Sequence, residues 1–371
     1  MKILVFAGFS KSLVHFRKEL LEKMVKNGHE VIAIAPETGF ENELAEMGVN
    51  FRLINFNRLS VNPINDIKLV VKLRNIIKLE KPEVFFGYTI KPVTYGAIVA
   101  RLCRVKNVYS MVTGLGSMFI DDDSKKNKKR LFIRFIIKCL YYCGFRASTK
   151  VFFQNIDDLN EMVEMKLLKR NKAIVINGSG VNLETYERTQ LPKRNVFLFV
   201  GSVMRDKGVL EYLASAEKVK EIYPDAEFWI VGPIDKRVSG LSYETIRPYI
   251  EKGIIRYFGE VNNVKEYLNN SRYYVLPSYR EGTPRSVLEA MAKGRPIITT
   301  DAPGCRETVK DGVNGFLVPI KNVIELSNKM IWMIENPDIV EEMANKSYEI
   351  VKEKYDVNKV NSHMLTEMKL I

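Results

Sequence analysis

Cysteine and histidine are scarce in this chain of 371 residues, which has four of the first and three of the second. The cysteines, at positions 103, 139, 143 and 305, lack the spacing of metal ligands. Long apolar runs are missing too, since no stretch approaches about 18 uninterrupted apolar residues, and we expect no membrane-spanning helix. With no recognisable signal peptide at the start, these absences favour a reducing, cytoplasmic environment.

Internal repeats and low-complexity segments are also absent, and the composition is that of a folded protein. Hydrophobic residues make up 46% of the chain and charged residues 27%, which argues against intrinsic disorder. A chain of this length is long enough for two domains of ordinary size.

The net charge of +13 is concentrated in the first half of the chain. Residues 1–180 contain 30 Lys and Arg against 17 Asp and Glu, whereas residues 181–371 contain 27 of each kind. Solubility alone would not require this segregation. It indicates that the first half meets an anionic partner or surface.

Short apolar runs alternate with amphipathic helical patterns along the whole chain. The start shows the pattern, with a strand at residues 2–8, a helix at 15–26 and a strand at 30–36. Such alternation predicts βαβ units and parallel sheets covered on both faces. Further strands are predicted near residues 49–54, 84–87, 107–112, 150–154, 172–177, 196–200, 227–232, 254–259, 273–277, 296–300 and 315–319.

The segment at residues 179–182 and the polar stretch at residues 188–195 resemble a linker between two such series. We therefore predict an α/β protein with two Rossmann-like domains facing a central cleft. The first domain comprises residues 1–185 and the second residues 186–355. A C-terminal helix at residues 356–371 follows the second domain and can cross back to the first domain.

Two carboxylates with seven residues between them, Glu281 and Glu289, stand out in the second half. Glu281 follows the predicted strand at 273–277, and Glu289 lies on the helix that comes next. Open α/β sheets bind ligands at this edge, where a carboxylate is suited to the two hydroxyls of a ribose. The alternative is a helix-capping acid beside a surface acid.

A glycine loop at residues 201–208 follows a strand and opens a helix, an arrangement that offers backbone N–H groups to a phosphate. Arg205 and Lys207 add positive charge suited to a diphosphate leaving group. An ordinary turn with two solvated cations has the same pattern.

In the first half, His15, Lys91 and the flexible Thr113–Gly114 also follow or adjoin predicted strand ends. The alternative interpretations are that His15 only packs against its neighbours and that Lys91 is only solvated.

Residues 124–150 contain nine Lys or Arg and no acid, interleaved with large apolar side chains. This composition predicts an interfacial helix on an anionic membrane surface, although an ordinary core helix with a solvated edge has similar features. Just before it, Asp121, Asp122 and Asp123 are compatible with a metal site, but acids at a helix start are common caps. We expect no metal cofactor.

Several of these blocks resemble glycosyltransferase family 4, whose members are retaining enzymes with the two-domain GT-B fold. The resemblance rests on residues 201–208, 257–261, 276–291 and 304–308, and it continues at 13–17, 88–96 and 112–120. It is strongest with bacterial enzymes that act on polyprenyl-diphosphate-linked saccharides, including those that add N-acetylgalactosamine in N-glycan assembly.

The resemblance implies roles for individual residues. Glu289 would bind the ribose, Glu281 the transferred sugar, and Lys207 the diphosphate. The family usually has arginine where this chain has Ser202, so Arg205 is expected to supply that charge. The remaining residues implied for the donor are Gly8, Val261, Gly282, Thr283 and Pro284, and those implied for the acceptor are His15, Arg17, Lys91, Thr113 and Gly114, with His15 also grouped with the catalytic residues.

Retaining transfer of a hexose or N-acetylhexosamine from a UDP-sugar to a lipid-linked saccharide is therefore the predicted function. The enzyme would be peripheral to the inner face of the cytoplasmic membrane. A nucleotide-sugar epimerase of the same fold is the main alternative. No nucleic-acid recognition motif is present, so we expect no nucleic-acid partner.

Overall fold

The computed structural model describes residues 1–58, 60, 62–116, 128–235 and 239–371, with the backbone alone at residues 128–130. These residues form two compact units. Unit 1 comprises Met1–Ser179 and Asn358–Ile371, and unit 2 comprises Gly180–Val357. The sequence places the boundary at residue 185, and the chain in the structure passes from unit 1 to unit 2 at residues 179–180.

The strands coincide with short, continuous apolar runs, because a parallel sheet covered by helices on both sides is buried on both faces. They are β1 (Lys2–Ala7), β2 (Glu30–Ala35), β3 (Val49–Leu53), β4 (Val84–Tyr88), β5 (Asn107–Val112), β6 (Lys150–Phe153), β7 (Ala173–Val175), β8 (Val196–Val200), β9 (Glu227–Val231), β10 (Arg256–Tyr257), β11 (Tyr273–Leu276), β12 (Ile297–Thr300) and β13 (Gly315–Val318).

The helices occupy the amphipathic segments between the strands. They are α1 (Lys11–Phe16), α2 (Lys18–Lys26), α3 (Glu41–Glu46), α4 (Pro63–Glu80), α5 (Ala97–Leu102), α6 (Lys128–Ala147), α7 (Ile156–Glu164), α8 (Val209–Ile222), α9 (Tyr243–Glu251), α10 (Val264–Asn270), α11 (Arg285–Ala292), α12 (Val323–Glu335), α13 (Pro337–Lys354) and α14 (Val357–Glu367). A π-helical turn, Pro92–Gly96, precedes α5.

Each unit contains one parallel sheet. The order of strands is β3-β2-β1-β4-β5-β6-β7 in unit 1 and β10-β9-β8-β11-β12-β13 in unit 2. The order of connection reverses between β1 and β4 in the first sheet, and between β8 and β11 in the second. Ligands of open α/β sheets bind beyond the carboxyl ends of the strands at such a reversal. The predicted fold class, two Rossmann-like parallel sheets, is confirmed.

The two faces of the unit 1 sheet are covered by different sets of helices. Ile3 and Val5 of β1 pack in one core cluster with side chains of α1, α2, α3 and α14. Leu4 and Phe6 point to the other side, where α4 and α5 pack, and α6 and α7 cover the β6 end of that same side. Successive strand residues alternate between these two cores, as the pleat requires.

Two predicted elements differ from the structure. The helix predicted at 15–26 is two helices, because Arg17 leaves the helical conformation (φ −128°, ψ 5°) between α1 and α2. The strands predicted at 172–177 and 254–259 shrink to β7 and β10. Both are edge strands, which pair with a neighbour on one side only, and short edge strands are common. Within the described residues, no helix has the length and apolar character needed to cross a bilayer.

Candidate active site

The glycine loop lies at the carboxyl end of β8 and leads directly into α8. It ends in a short helical turn, Arg205–Lys207, followed by Gly208 in the left-handed conformation (φ 72°). A Cβ atom at Gly208 would collide with the carbonyl oxygen of Pro277, just beyond β11. Only glycine combines this backbone angle with this close approach. The loop is therefore pressed against the end of β11.

Lys207 and Glu281 meet at this position. The ammonium group of Lys207 forms an ion pair with Oε1 of Glu281, whose side chain is 14% exposed. The backbone N–H of Glu281 donates to the carbonyl of Pro303 at 3.0 Å, which holds the loop after β11 in place. Gly304 (φ 78°) lies so close to the carbonyl of Glu281 that a Cβ atom would collide with it. Both residues therefore project from rigid loops.

Ser278 is a neighbour of Glu281 that the sequence did not single out. Its Oγ lies 2.8 Å from Oε1 of Glu281 and 3.1 Å from the carbonyl oxygen of Asp206 in the glycine loop. The backbone N–H of Tyr279 also donates to that carbonyl at 2.9 Å. These contacts join the loop after β11 to the glycine loop, and no sequence motif predicts them.

Cys305 lies beneath this loop and is fully buried. Its thiol is 3.8 Å from the carbonyl oxygen of Ser278, to which Thr300 also donates its hydroxyl. Burial, with the nearby charge of Glu281, raises the pKa of Cys305 to about 12. Cys305 is therefore a neutral thiol at physiological pH and supports the loop by packing.

Glu289 lies on α11, with a side chain that is 13% exposed. Arg285, one turn earlier on the helix, donates from Nε to Oε1 of Glu289 at 3.1 Å, and the hydroxyl of Tyr186 also bonds to the carboxylate. Burial raises the pKa of Glu289, while Arg285 and Tyr186 act in the opposite direction. The spacing of Arg285 and Glu289 is that of a helical ion pair, which the sequence shows, but nothing in the sequence points to Tyr186.

Tyr274 of β11 lies within electrostatic range of both carboxylates. Its hydroxyl is buried and donates to the carbonyl of Val200 at the end of β8, at 3.3 Å. Burial strongly raises the pKa of Tyr274, and the charges of Glu289 and Glu281 raise it further. Glu281 and Glu289 therefore both lie near enough to the buried hydroxyl of Tyr274 for their charges to act on it.

Three residues between these acids, Gly282, Thr283 and Pro284, are buried. Pro284 has φ −70° and ψ 108° and immediately precedes α11, and its carbonyl accepts from the N–H of Val287 at 3.0 Å. The conformation of Pro284 thus sets the start of the helix that carries Glu289. Within the glycine loop, Ser202 is half-buried and Arg205 is exposed.

Val261 lies in the loop after β10, beside the end of β9. Gly259 (φ 69°) accepts a hydrogen bond from the N–H of Gly232 at 2.7 Å, and the hydroxyl of Tyr257 donates to the carbonyl of Gly232 at 3.0 Å. Val261 packs against the core of unit 2. The loop that carries Val261, one of the residues implied for the donor, is therefore held in place by hydrogen bonds to Gly232.

In unit 1, Gly8 lies at the end of β1 and packs against Thr89, at the end of β4. A Cβ atom at Gly8 would collide with the Thr89 hydroxyl. Thr89 has φ 72°, which is unusual for a β-branched residue. Both residues flank the reversal in strand order, and Thr89 was not singled out from the sequence.

His15 and Arg17 have different environments although they are two residues apart. His15 is exposed in the last turn of α1. Arg17 is buried: one of its terminal nitrogens lies 2.7 Å from the sulfur of Met111, and its guanidinium lies 5.3 Å from the centre of the Tyr88 ring. Its charge therefore faces the interior of unit 1, whereas His15 is accessible.

Lys91 is neither solvated nor exposed. Its ammonium group is 2.5 Å from Oδ1 of Asp66 on α4, and Tyr95 donates to the other oxygen of Asp66 at 2.9 Å. The alternative of a solvated lysine is therefore wrong. Because the pair is buried, each partner neutralises a charge that would otherwise be costly. A role in acceptor binding would have to compete with this internal contact.

Thr113 and Gly114 (φ 117°) follow β5 and are half-buried. The acidic run at residues 121–123 lies outside the described residues. Among the residues that are described, no group of three or more His, Cys, Asp or Glu has the geometry of a metal site.

Family models match both halves of the chain. Residues 2–155 match the glycosyl transferase 4-like family, and residues 184–350 match the glycosyl transferases group 1 family. One relative, the Campylobacter jejuni N,N'-diacetylbacillosaminyl-diphospho-undecaprenol alpha-1,3-N-acetylgalactosaminyltransferase, is 29% identical over 91% of this chain and 90% of its own length. Another, the Escherichia coli UDP-Gal:alpha-D-GlcNAc-diphosphoundecaprenol alpha-1,3-galactosyltransferase, is 26% identical over 73% of this chain and 71% of its own length.

Solved structures share the fold at low sequence identity. Sucrose-phosphate synthase from Thermosynechococcus elongatus has a TM-score of 0.80 at 15% identity, and the comparison covers 100% of this chain and 98% of the other. Anabaena HepE, solved in complex with UDP, has a TM-score of 0.77 at 15% identity and full coverage of both chains.

Because family models match both halves, the chain is a glycosyltransferase that combines a glycosyl transferase 4-like N-terminal half with a glycosyl transferases group 1 C-terminal half.

Proposed function

We propose that this glycosyltransferase moves a hexose or N-acetylhexosamine from a UDP-sugar to a saccharide linked to polyprenyl diphosphate, with retention at the anomeric carbon. The observation that carries the proposal is the meeting of Lys207 and Glu281 at the strand-order reversal of unit 2, with Glu289 on the next helix. The names of the two curated relatives support the acceptor class.

The donor would lie against the glycine loop. Backbone N–H groups of the loop, with Lys207 and Arg205, suit the diphosphate, which gains negative charge as the sugar leaves. Glu281 would then accept from hydroxyls of the transferred sugar. The ammonium group of Lys207 would leave Glu281 and pair with the diphosphate of the donor. Glu289, which is held by Arg285 and Tyr186, would accept from the two ribose hydroxyls.

In the proposed reaction, the bond between the anomeric carbon and the leaving phosphate oxygen breaks, and its electron pair departs with UDP. The acceptor oxygen bonds to the same carbon on the face that the phosphate has left. The acceptor's hydroxyl proton goes to that phosphate oxygen. The enzyme's contribution is to position the reactants and to stabilise the departing charge. A trapped glycosyl–enzyme adduct would contradict this scheme.

Attachment to the inner face of the membrane is part of the proposal. The described part of the predicted interfacial segment comprises helix α6 and residues 148–150, and α6 exposes Leu131, Phe132, Phe135, Ile136 and Tyr142. Helix α4, on the same face of the sheet, exposes Ile64, Ile67 and Val71, each more than half accessible, beside Lys68 and Lys72. Apolar side chains interleaved with lysines favour an anionic lipid surface.

A panel assay tests the transfer itself. Purified protein is incubated with UDP-N-acetylgalactosamine, UDP-N-acetylglucosamine or UDP-galactose and a polyprenyl-diphosphate-linked saccharide, and UDP release and product mass are followed. We expect release that requires acceptor and persists in EDTA. Product analysis by NMR should show the anomeric configuration of the donor.

Other outcomes would redirect the proposal. An altered free UDP-sugar without acceptor would indicate an epimerase. Loss of turnover in EDTA, with recovery on adding Mg²⁺ or Mn²⁺, would contradict metal-independent transfer. Inversion of the anomeric centre would contradict the proposed same-face attack.

A further inference from the structure

A cavity of about 370 Å³ lies in unit 1, between the last turns of α6 and the segment that joins α7 to β7. Four of its lining residues are cations, namely Arg146, Lys166, Lys169 and Lys172, and none is acidic. The remaining walls are apolar or aromatic. This cavity belongs to one unit and contains none of the residues of the candidate active site.

The positive charge of the cavity is crowded. Lys172 donates to the carbonyls of Phe145, Arg146 and Ser148 at the end of α6, at 3.4, 3.1 and 2.6 Å. Burial lowers the pKa of Lys172, and the charges of Arg101, outside the cavity lining, and of Arg146 and Lys169 lower it further. Such mutual repulsion is relieved by an anion.

The conformation of the segment after α7 leaves two of these cations, Lys166 and Lys169, exposed. Lys166 is exposed and left-handed (φ 58°), with its N–H bonded to the carbonyl of Val163 at 2.8 Å. Leu168 turns inward and is buried, whereas Lys169 is exposed. The two exposed lysines therefore line the cavity together with the buried, apolar side chain of Leu168.

Tyr142 joins this cavity to the exposed apolar face of α6. It lines the cavity, is 41% exposed, and receives a hydrogen bond from Arg146, whose guanidinium also lies 5.5 Å from the ring centre. A free inorganic anion would gain nothing from the adjoining apolar surface. An amphiphile with an anionic head would contact both the cations of the cavity and the apolar face of α6.

We propose that this cavity binds the phosphate of an anionic phospholipid headgroup while α6 rests on the surrounding lipid. The inference rests on the membrane attachment proposed above and adds a lipid class and a binding pocket to it. A phosphodiester fits the mouth by charge, and the glycerol backbone would continue toward Tyr142 and the α6 face.

The variant Lys166→Gln/Lys169→Gln tests the pocket. Binding is measured by co-flotation of the full-length protein with vesicles of phosphatidylcholine alone, or of equal parts phosphatidylglycerol and phosphatidylcholine, without any polyprenyl lipid. We expect the wild type to prefer the anionic vesicles. Since each well-placed cation contributes about 1 kcal/mol, the variant should bind them roughly 30-fold more weakly.

A matched control is available on the opposite face of the same sheet. Lys26 is exposed at the end of α2, and Lys369 is exposed and left-handed (φ 57°), like Lys166. The variant Lys26→Gln/Lys369→Gln removes the same charge and should retain anionic binding within about threefold. Equal losses in the two variants would overturn the pocket and leave only general electrostatics.

A third variant separates the pocket from membrane attachment. Phe132→Ser/Phe135→Ser weakens the apolar face and should reduce binding while preserving the preference for anionic vesicles. If it loses binding and Lys166→Gln/Lys169→Gln does not, attachment stands and the pocket is wrong. If the wild type binds neither vesicle, both are wrong, while UDP release with a detergent-dispersed acceptor still tests the proposed transfer independently.

Discussion

The ammonium group of Lys207 forms an ion pair with the carboxylate of Glu281, although 74 residues separate them along the chain. One residue ends the glycine loop after β8 and the other follows β11, and these two strands are neighbours in the sheet. The pair therefore forms because these two strands are neighbours, and it lies where the order of connection reverses, the position at which α/β proteins bind ligands.

Removing either member of this pair should abolish most of the activity. We expect Glu281→Ala and Lys207→Ala each to lower kcat by at least about 100-fold, because each removes a group aimed at the sugar or the departing charge. The double variant should lose less than the product of the two single effects, since the residues act together. UDP release in the presence of acceptor measures all three.

A surface ion pair in the same unit provides the comparison. Lys252 and Glu217 are 3.1 Å apart and exposed. Lys252→Ala should leave kcat unchanged and alter stability by less than about 1 kcal/mol. Full activity in Lys207→Ala would refute the assignment of the diphosphate to that residue.

Two left-handed glycines in unit 2 isolate the effect of close packing. Gly208 (φ 72°) is pressed against Pro277, whereas Gly253 (φ 68°) has no atom within 4 Å of a Cβ position. Gly253→Ala should cost about 1 kcal/mol from the backbone conformation alone. Gly208→Ala must also displace the end of β11, so we expect a clearly lower midpoint of urea unfolding and loss of UDP binding. Equal midpoints for the two variants would contradict the packing described here.

The raised pKa of Glu289 gives a stability change with a defined sign. From the ordinary value of 4.5 up to the raised folded pKa, the folded protein holds this proton more tightly than the unfolded chain does. The resulting stabilisation is complete below pH 4.5 and is lost as pH rises through the folded pKa. Relative to Glu289→Gln, the wild type should therefore lose stability across that window, as measured by urea unfolding. The exposed change Glu251→Gln supplies the baseline.

UDP binding should show the opposite trend over the same window. A carboxylate accepts from ribose hydroxyls best when ionised, so the affinity of the wild type for UDP should fall as pH decreases toward 4.5. Titration calorimetry of Glu289→Gln should show weaker binding without this pH dependence. An unchanged pH profile in the variant would argue against the ribose assignment.

The buried pair of Lys91 and Asp66 predicts a non-additive double variant. Lys91→Met leaves the Asp66 carboxylate buried without its cation and should cost about 3–5 kcal/mol of unfolding free energy. The double variant Lys91→Met/Asp66→Leu removes both charges and should recover most of this loss. Its KM for acceptor then reports any role of Lys91 in acceptor binding, because the fold is retained. Additive losses in stability would contradict the pairing.

Much of the fold follows from local pattern. Strands such as β8 and β11 were predictable because a parallel sheet buries both faces, which requires an unbroken apolar run. Helix α1 ends at Phe16, where local pattern predicts a continuous helix, and the side chain of the next residue, Arg17, contacts Met111 and Tyr88 far along the chain. Edge strands β7 and β10 are shorter than their apolar runs, because only one side has a partner.

The sequence by itself determined the alternation of strands and helices, the glycine loop, and the placement of Glu281 and Glu289 on a strand end and the next helix. These are local properties, set by periodicity and turn chemistry within a few residues. Only the tertiary structure decided that Lys207 pairs with Glu281, that Tyr186 reaches Glu289, and that Lys91 is buried against Asp66. Such contacts depend on which strands become neighbours and how closely loops pack, and no spacing along the chain encodes that distance.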